Sequence, residues 1–131
     1  MSQFQQSPPD HAMGRVGQSH RQWRTQGCRC CCVMLTGLKR FQDVVRECVE
    51  NVSDARLAMP VRVVRSALDH ASSWLADAKG DAREAGARRF SVTLGRTIEL
   101  ALLIRQAQWS LDPETVNSAQ RFASVGVDVI F

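Results

Sequence analysis

The stretch EAGARRFSVTLGRTIELALLIRQAQWSLD runs from Glu84 to Asp112 and decides the fold. Phe90, Leu94, Ile98, Ala101 and Leu102 recur at the three- and four-residue spacing that stacks side chains on one helical face. Leu100, Leu103, Ile104, Ala107 and Leu111 set a second apolar face beside the first. A helix apolar around so much of its circumference has to be enclosed by neighbours. Gly86 and Gly95 interrupt it, each at a cost of about 1 kcal/mol relative to alanine, and their presence predicts close approach of neighbouring helices.

Outward from this stretch, Gly80 punctuates the chain and Asp81 is placed to cap the long helix. Upstream, Leu57, Val61, Val64, Leu68, Ala71 and Leu75 form a stripe that ends near Ala78. Ser53 and Asp54 are its candidate caps, and Pro60 lies in its first turn or kinks it. Before that, Leu38, Phe41, Val45, Cys48 and Val52 predict a helix starting after Thr36. Downstream, Asp112, Pro113 and Glu114 combine a capping side chain, a proline at the first helical position and a favourably placed acid. The helix they open carries Val116, Ala119, Phe122 and Ala123 and stops near Gly126, leaving VDVIF as a short strand or an apolar tail packed on the helices. Connections this short make successive helices antiparallel. The predicted fold is all-α, an antiparallel bundle of three to four helices over residues 34–131 behind a disordered, basic, Cys-containing leader over 1–33. Leu94, Ile98, Leu102 and Trp109 are expected to face Val61, Val64, Leu68 and Leu75.

Charge is unevenly placed along the 131 residues. Residues 1–33 carry four Arg against one Asp, or +3, whereas residues 34–131 carry 13 basic against 12 acidic groups, or +1. A basic excess in a Gln-, Ser- and Pro-containing segment reads as a solvated tail rather than a nucleic-acid arm. An acid-poor, Arg-containing start also fits a mitochondrial transit peptide, although Pro8, Pro9, Gly14, Gly17 and Gly27 interrupt any amphipathic helix there. The expected location is therefore cytoplasmic or mitochondrial. No apolar run approaches the ~18 residues of a membrane span, and no membrane partner is expected. Cys28, Cys30, Cys31 and Cys32 are packed too closely for a disulfide framework, and Cys48, His11 and His20 supply no second pair for tetrahedral metal, so no metal site is expected. Palmitoylation of the cluster is a further reading.

Candidate chemistry is sparse. His70 follows Asp69, but adjacent helical residues point about 100° apart and do not form one site, which leaves a surface histidine. Glu99 lies in the apolar part of the long helix, where a buried carboxylate would serve as a general base; pairing with Arg96 or a surface position is the competing reading. Arg83, Arg88, Arg89, Arg96 and Arg105 offer a basic side that could meet phosphates, diluted by Asp81, Glu84 and Glu99. Glycine-rich phosphate loops, nucleophile elbows and metal-binding helix motifs are missing, so no catalytic or cofactor-binding residue is assigned. Trp109 is read as the aromatic anchor of the long helix, while Trp23 and Trp74 belong to no stacking platform.

The block ARRFSVTLGRTIELALLIRQAQWSLD, Ala87 to Asp112, resembles a late helix in the C-terminal region of acyl-CoA dehydrogenase-like flavoproteins, in which a basic pair and an aromatic open an Ala/Leu-rich helix that ends near an aromatic. SAQRFASVGVD, Ser118 to Asp128, is similar to the family's closing Arg-aromatic-Ala segment, and a looser likeness extends over residues 35–79. The resemblance implies a four-helix C-terminal domain of an enzyme that binds FAD and an acyl-CoA. There a glutamate removes an α-proton while the flavin accepts hydride. Branches such as the AidB-like proteins carry extra helices after that core. None of the family's flavin or catalytic residues maps onto this chain. The expectation is a partial acyl-CoA dehydrogenase-like protein, inactive alone and without its own cofactor, whose partners are a second copy or the rest of a flavoenzyme. The alternative is a small helical module that binds nucleic acid or protein.

Overall fold

A computed structural model describes the backbone of residues 16–131 and side chains from Val33 onward. Four α-helices follow one another: α1, Val16–Glu50; α2, Ala58–Asp77; α3, Asp81–Ser110; and α4, Pro113–Val125. A 3-10 turn, Ala55–Leu57, leads into α2, and the described residues contain no strand. Leu38–Phe131 forms one compact unit that contains the last part of α1 and all of the later helices. In the preceding unit, Val33, Met34 and Leu35 are exposed.

The helix expected after Thr36 begins much earlier, at Val16. No proline intervenes between Pro9 and Pro60, and the helix extends upstream through Gly17, Gly27 and Gly37 despite the propensity cost of each. The irregular leader expected over 1–33 lies, for residues 1–15, outside the described residues, as do the side chains of the cysteine cluster, His20 and Trp23.

The other boundaries follow local chemistry. The Asp54 side chain accepts the Arg56 N–H at 2.9 Å, capping the 3-10 turn, and Pro60 sits buried in the first turn of α2. Gly80, at φ 52°, takes the cap position of α3, and its carbonyl accepts the Arg83 and Glu84 N–H groups. The cap is therefore Gly80 rather than Asp81, which lies with Glu84 in the first turn where the helix dipole favours acids. Pro113 opens α4 as expected, but the Asp112 side chain makes no cap bond; its carbonyl accepts from Thr115 Oγ1 at 2.8 Å. Gly126, at φ 99°, ends α4.

Successive helices run antiparallel. Gln42 of α1 meets Ser72 of α2, and Ser53, before α2, accepts from Gln108 near the end of α3. The opposite end of α2 places Trp74 against Phe90. The larger core cluster joins Val45, Cys48 and Val49 of α1 with Val64 and Leu68, Leu100 and Ile104, and Val116 and Ala119. A second cluster gathers Leu38, Ala71, Leu75, Phe90 and Ile130. The C-terminal VDVIF is the packed tail, with Val127 and Ile130 buried. Its backbone is fastened where Val129 N–H donates to Thr93 Oγ1 at 3.0 Å.

The buried face of α3 is rotated from the expected one. Phe90, Thr93, Thr97, Leu100, Ala101, Ile104 and Ala107 are buried, whereas Leu102 and Trp109 are 51% and 82% exposed. Leu94 and Ile98 are half-buried at its edge. Two threonines take core positions because their hydroxyls are satisfied within the fold: Thr97 Oγ1 donates to the Thr93 carbonyl at 2.7 Å, and Thr93 Oγ1 receives the tail.

Candidate functional site: the groove between α3 and α4

Arg96, Glu99 and Leu103 of α3 face Ser118, Arg121, Phe122 and Val125 of α4 across an open groove of about 470 Å³ that ends at Gly126. Leu103 and Phe122 are half-buried and form an apolar floor, with Arg96, Arg121 and Glu99 on the rim. Helical spacing explains the arrangement, since 96, 99 and 103 recur on one side of α3 and 118, 121, 122 and 125 on one side of α4. Such a groove offers shape and a few charges.

It brings no catalytic set together. Glu99 is exposed, whereas the general-base reading required a carboxylate within an apolar pocket. Neither does it pair with Arg96, whose Nη1 instead donates to the Gly126 carbonyl at 3.0 Å. His70 contacts Asp128 of the tail through Nδ1, so the surface histidine fastens the tail rather than serving a pocket.

The arginine side disperses in the same way. Arg83 donates to the Ala78 and Leu75 carbonyls at 3.0 and 3.1 Å, serving the C-terminal end of α2 as Arg96 serves that of α4. Arg89 lies 5.1 Å from the centroid of the Phe131 ring. Arg105 turns instead toward α1, beside Trp109 in a smaller hollow shared with Glu47, Cys48 and Val52. At 100° per residue these side chains spread around α3 rather than forming one phosphate-binding strip.

A third hollow of about 490 Å³ lies between α1 and α2 and mixes Asp43, Glu47, Glu50 and Asp69 with Arg46 and Arg65 over Val49 and Leu68. Among the described residues no group of His, Cys, Asp or Glu is arranged to hold a metal ion, and no helix is long and apolar enough to cross a membrane.

The sequence reading missed Trp74. Its ring stacks on Phe90 at 5.2 Å between centroids and covers the backbone of Gly86, so Trp74, not Trp109, is the aromatic anchor between α2 and α3. The signal was Gly86 itself, at which a helix has no side chain to fend off a ring.

The helical unit that carries this groove matches a family model described as acyl-CoA dehydrogenase 11 C-terminal domain-like, over residues 36–127. Comparisons with curated proteins and with solved structures return no match. The matched span begins at the helix start expected from Thr36 and ends in the buried tail at Val127.

Proposed function

This chain belongs to the acyl-CoA dehydrogenase 11 C-terminal domain-like family, and we propose that it serves as the non-catalytic helical part of an FAD-dependent oxidoreductase acting on acyl-CoA CH–CH bonds. The observation that carries the reading is the family match across the helical unit. The fate of the polar side chains supports it. Arg83 and Arg96 close helix ends, Thr93 and Thr97 hold the core and tail, and Glu99 stands in water. The α3/α4 groove does not suit a flavin phosphate: of its two arginines Arg96 is committed to the Gly126 carbonyl, and Glu99 sets an acid on the same rim. On this reading the flavin and the catalytic base reside in another part of the enzyme, and the bundle contributes a packing surface.

Two measurements test the proposal. The purified chain, incubated with FAD, saturated acyl-CoA of several lengths and an artificial electron acceptor, is expected to form no enoyl-CoA and to lose its flavin on desalting. Near-stoichiometric retention of a yellow cofactor, or turnover, overturns the reading. An antibody against Glu84–Asp112, applied to extracts of the source cells, is expected to reveal a band well above the 14.6 kDa of this chain. A band only at that mass removes the claim that the chain works as one segment of a flavoenzyme.

A further inference from the structure

Helix α1 runs from Val16 to Glu50, so its backbone carries Cys28, Cys30, Cys31 and Cys32 on helical turns rather than in an irregular leader. At about 100° per residue, Cys31 falls about 60° to one side of Cys28 and Cys32 about 40° to the other, one turn further along. Cys30 falls about 160° away. Three of the four cysteines therefore share one face at positions i, i+3 and i+4, and the fourth does not. We infer that Cys28, Cys31 and Cys32 form a three-thiolate site for a monovalent copper ion.

Spacing and charge both point to this ion. Helical positions three and four apart hold their Cβ atoms about 5–6 Å from each other. A thiolate sulfur stands ~2.3 Å from a metal of this size, so one ion can be shared by thiols at that separation. A tetrahedral site is not expected of these cysteines, because no second pair completes it; a trigonal one needs no second pair once the backbone is helical. Thiolates are soft ligands that favour Cu(I), whereas a closed zinc site requires four protein ligands. Residues 24–36 hold no His, Asp or Glu to supply the fourth, and Cys30 lies on the far side of the helix. One Cu(I) among three thiolates leaves two negative charges on the complex. The surrounding chain is suited to offset them: Arg24 and Arg21 fall on the Cys28 face one and two turns before it, and no acid occurs between Asp10 and Asp43. Binding leaves the copper in its monovalent state and releases the protons of whichever thiols are not already ionised. The site involves neither flavin nor acyl-CoA and does not rest on the flavoenzyme reading.

Anaerobic titration of the reduced full chain with Cu(I), held by the chromogenic chelator bicinchoninate, tests the inference. The chain is expected to withdraw a single copper from the chelator. Cys28→Ser, Cys31→Ser and Cys32→Ser should each weaken binding by at least about tenfold, since losing even an outer partner of a metal ligand costs ~10–100-fold. Cys30→Ser should bind as the parent does. The double variant Cys28→Ser with Val33→Cys, at a 71% exposed position, keeps four clustered thiols but no longer holds an i, i+3, i+4 set. It should stay as weak as Cys28→Ser alone. A parent chain that takes no copper from the chelator overturns the inference. So does a Cys30→Ser protein as weak as the other three, or a double variant that binds like the parent, because thiol number rather than helical register would then hold the ion.

Discussion

Gly86 and Gly95 occupy the same helix but have opposite surroundings, and alanine at each should act in opposite directions. At Gly86 a Cβ would collide with the Trp74 ring, which stacks on Phe90 and has little room to retreat. Gly86→Ala is expected to destabilise by about 1–3 kcal/mol, the usual range for overpacking. At Gly95 the same methyl enters open space, and Gly95→Ala is expected to stabilise by about 1 kcal/mol. Denaturant unfolding of the two variants reads the signs directly. Leu111 offers a third case: at φ 55° it ends α3 in the left-handed conformation that favours glycine. Leu111→Gly should stabilise by up to about 1 kcal/mol, provided its 60% exposed side chain contributes little packing. At Asp54, hydrogen bonds first from the Arg56 side chain and then from its backbone N–H hold the carboxyl below the ordinary aspartate range. A folded-state pKa lowered in this way adds stability that is fully present above the unfolded value of about 3.9 and is lost as pH falls through the depressed one. The stability difference between the parent chain and Asp54→Asn should therefore be constant at neutral pH and shrink only in acid. A difference independent of pH down to the acid limit would place the Asp54 contribution outside its charge.

At the scale of elements, legibility depended on how sharply each helix divides apolar from polar. The stripe of α2 was readable because Leu57, Val64, Leu68, Ala71 and Leu75 are buried with Val61 half-buried, while the charged Arg62, Arg65, Asp69 and Asp77 are exposed. The limits of α4 were readable from Pro113 and Gly126, which act through backbone geometry and need no tertiary information. Helix α3 was not, because apolar residues surround it and the choice of buried side was made by its neighbours. Thr93 and Thr97 won core places over Leu102 since Thr93 supplies an acceptor to the tail, a partner 36 residues away that no helical periodicity encodes. The candidate site was hidden for the same reason, because the partner of Arg96 is the Gly126 carbonyl, 30 residues further along the chain. Thr93→Val tests the role of that tail contact. The change keeps the shape of the side chain but leaves the Val129 N–H without its acceptor, at a cost of about 1–3 kcal/mol. Loss of hydrogen-exchange protection at Val129, ahead of any change at Leu100, is the expected signature. Equal protection in both proteins would mean that apolar packing of Val127 and Ile130 alone fixes the tail.

For the compact unit as a whole, stability rests on joining two apolar clusters rather than on either alone. Val127 belongs to the larger cluster and Ile130 to the smaller, so the tail crosses from one to the other within four residues. Phe41 is packed against both as well, from α1. Two such bridges from opposite ends of the unit couple the clusters, because opening one exposes side chains that the other buries. Phe41→Ala therefore discriminates a single cooperative core from two that open separately. Half-buried, Phe41 should cost about 2 kcal/mol on truncation, less than the ~3–5 kcal/mol of a fully buried phenylalanine. In a cooperative unit, amide protection at Ile104 in the larger cluster and at Phe90 in the smaller should fall by the same free energy. A drop confined to Phe90 would show that the smaller cluster opens by itself, carrying Trp74 and Ile130 with it. The bundle would then be a stable core built on the larger cluster, which α1 shares with α2, α3 and α4, with a separately yielding end, and a partner binding that end would stabilise it without altering the rest.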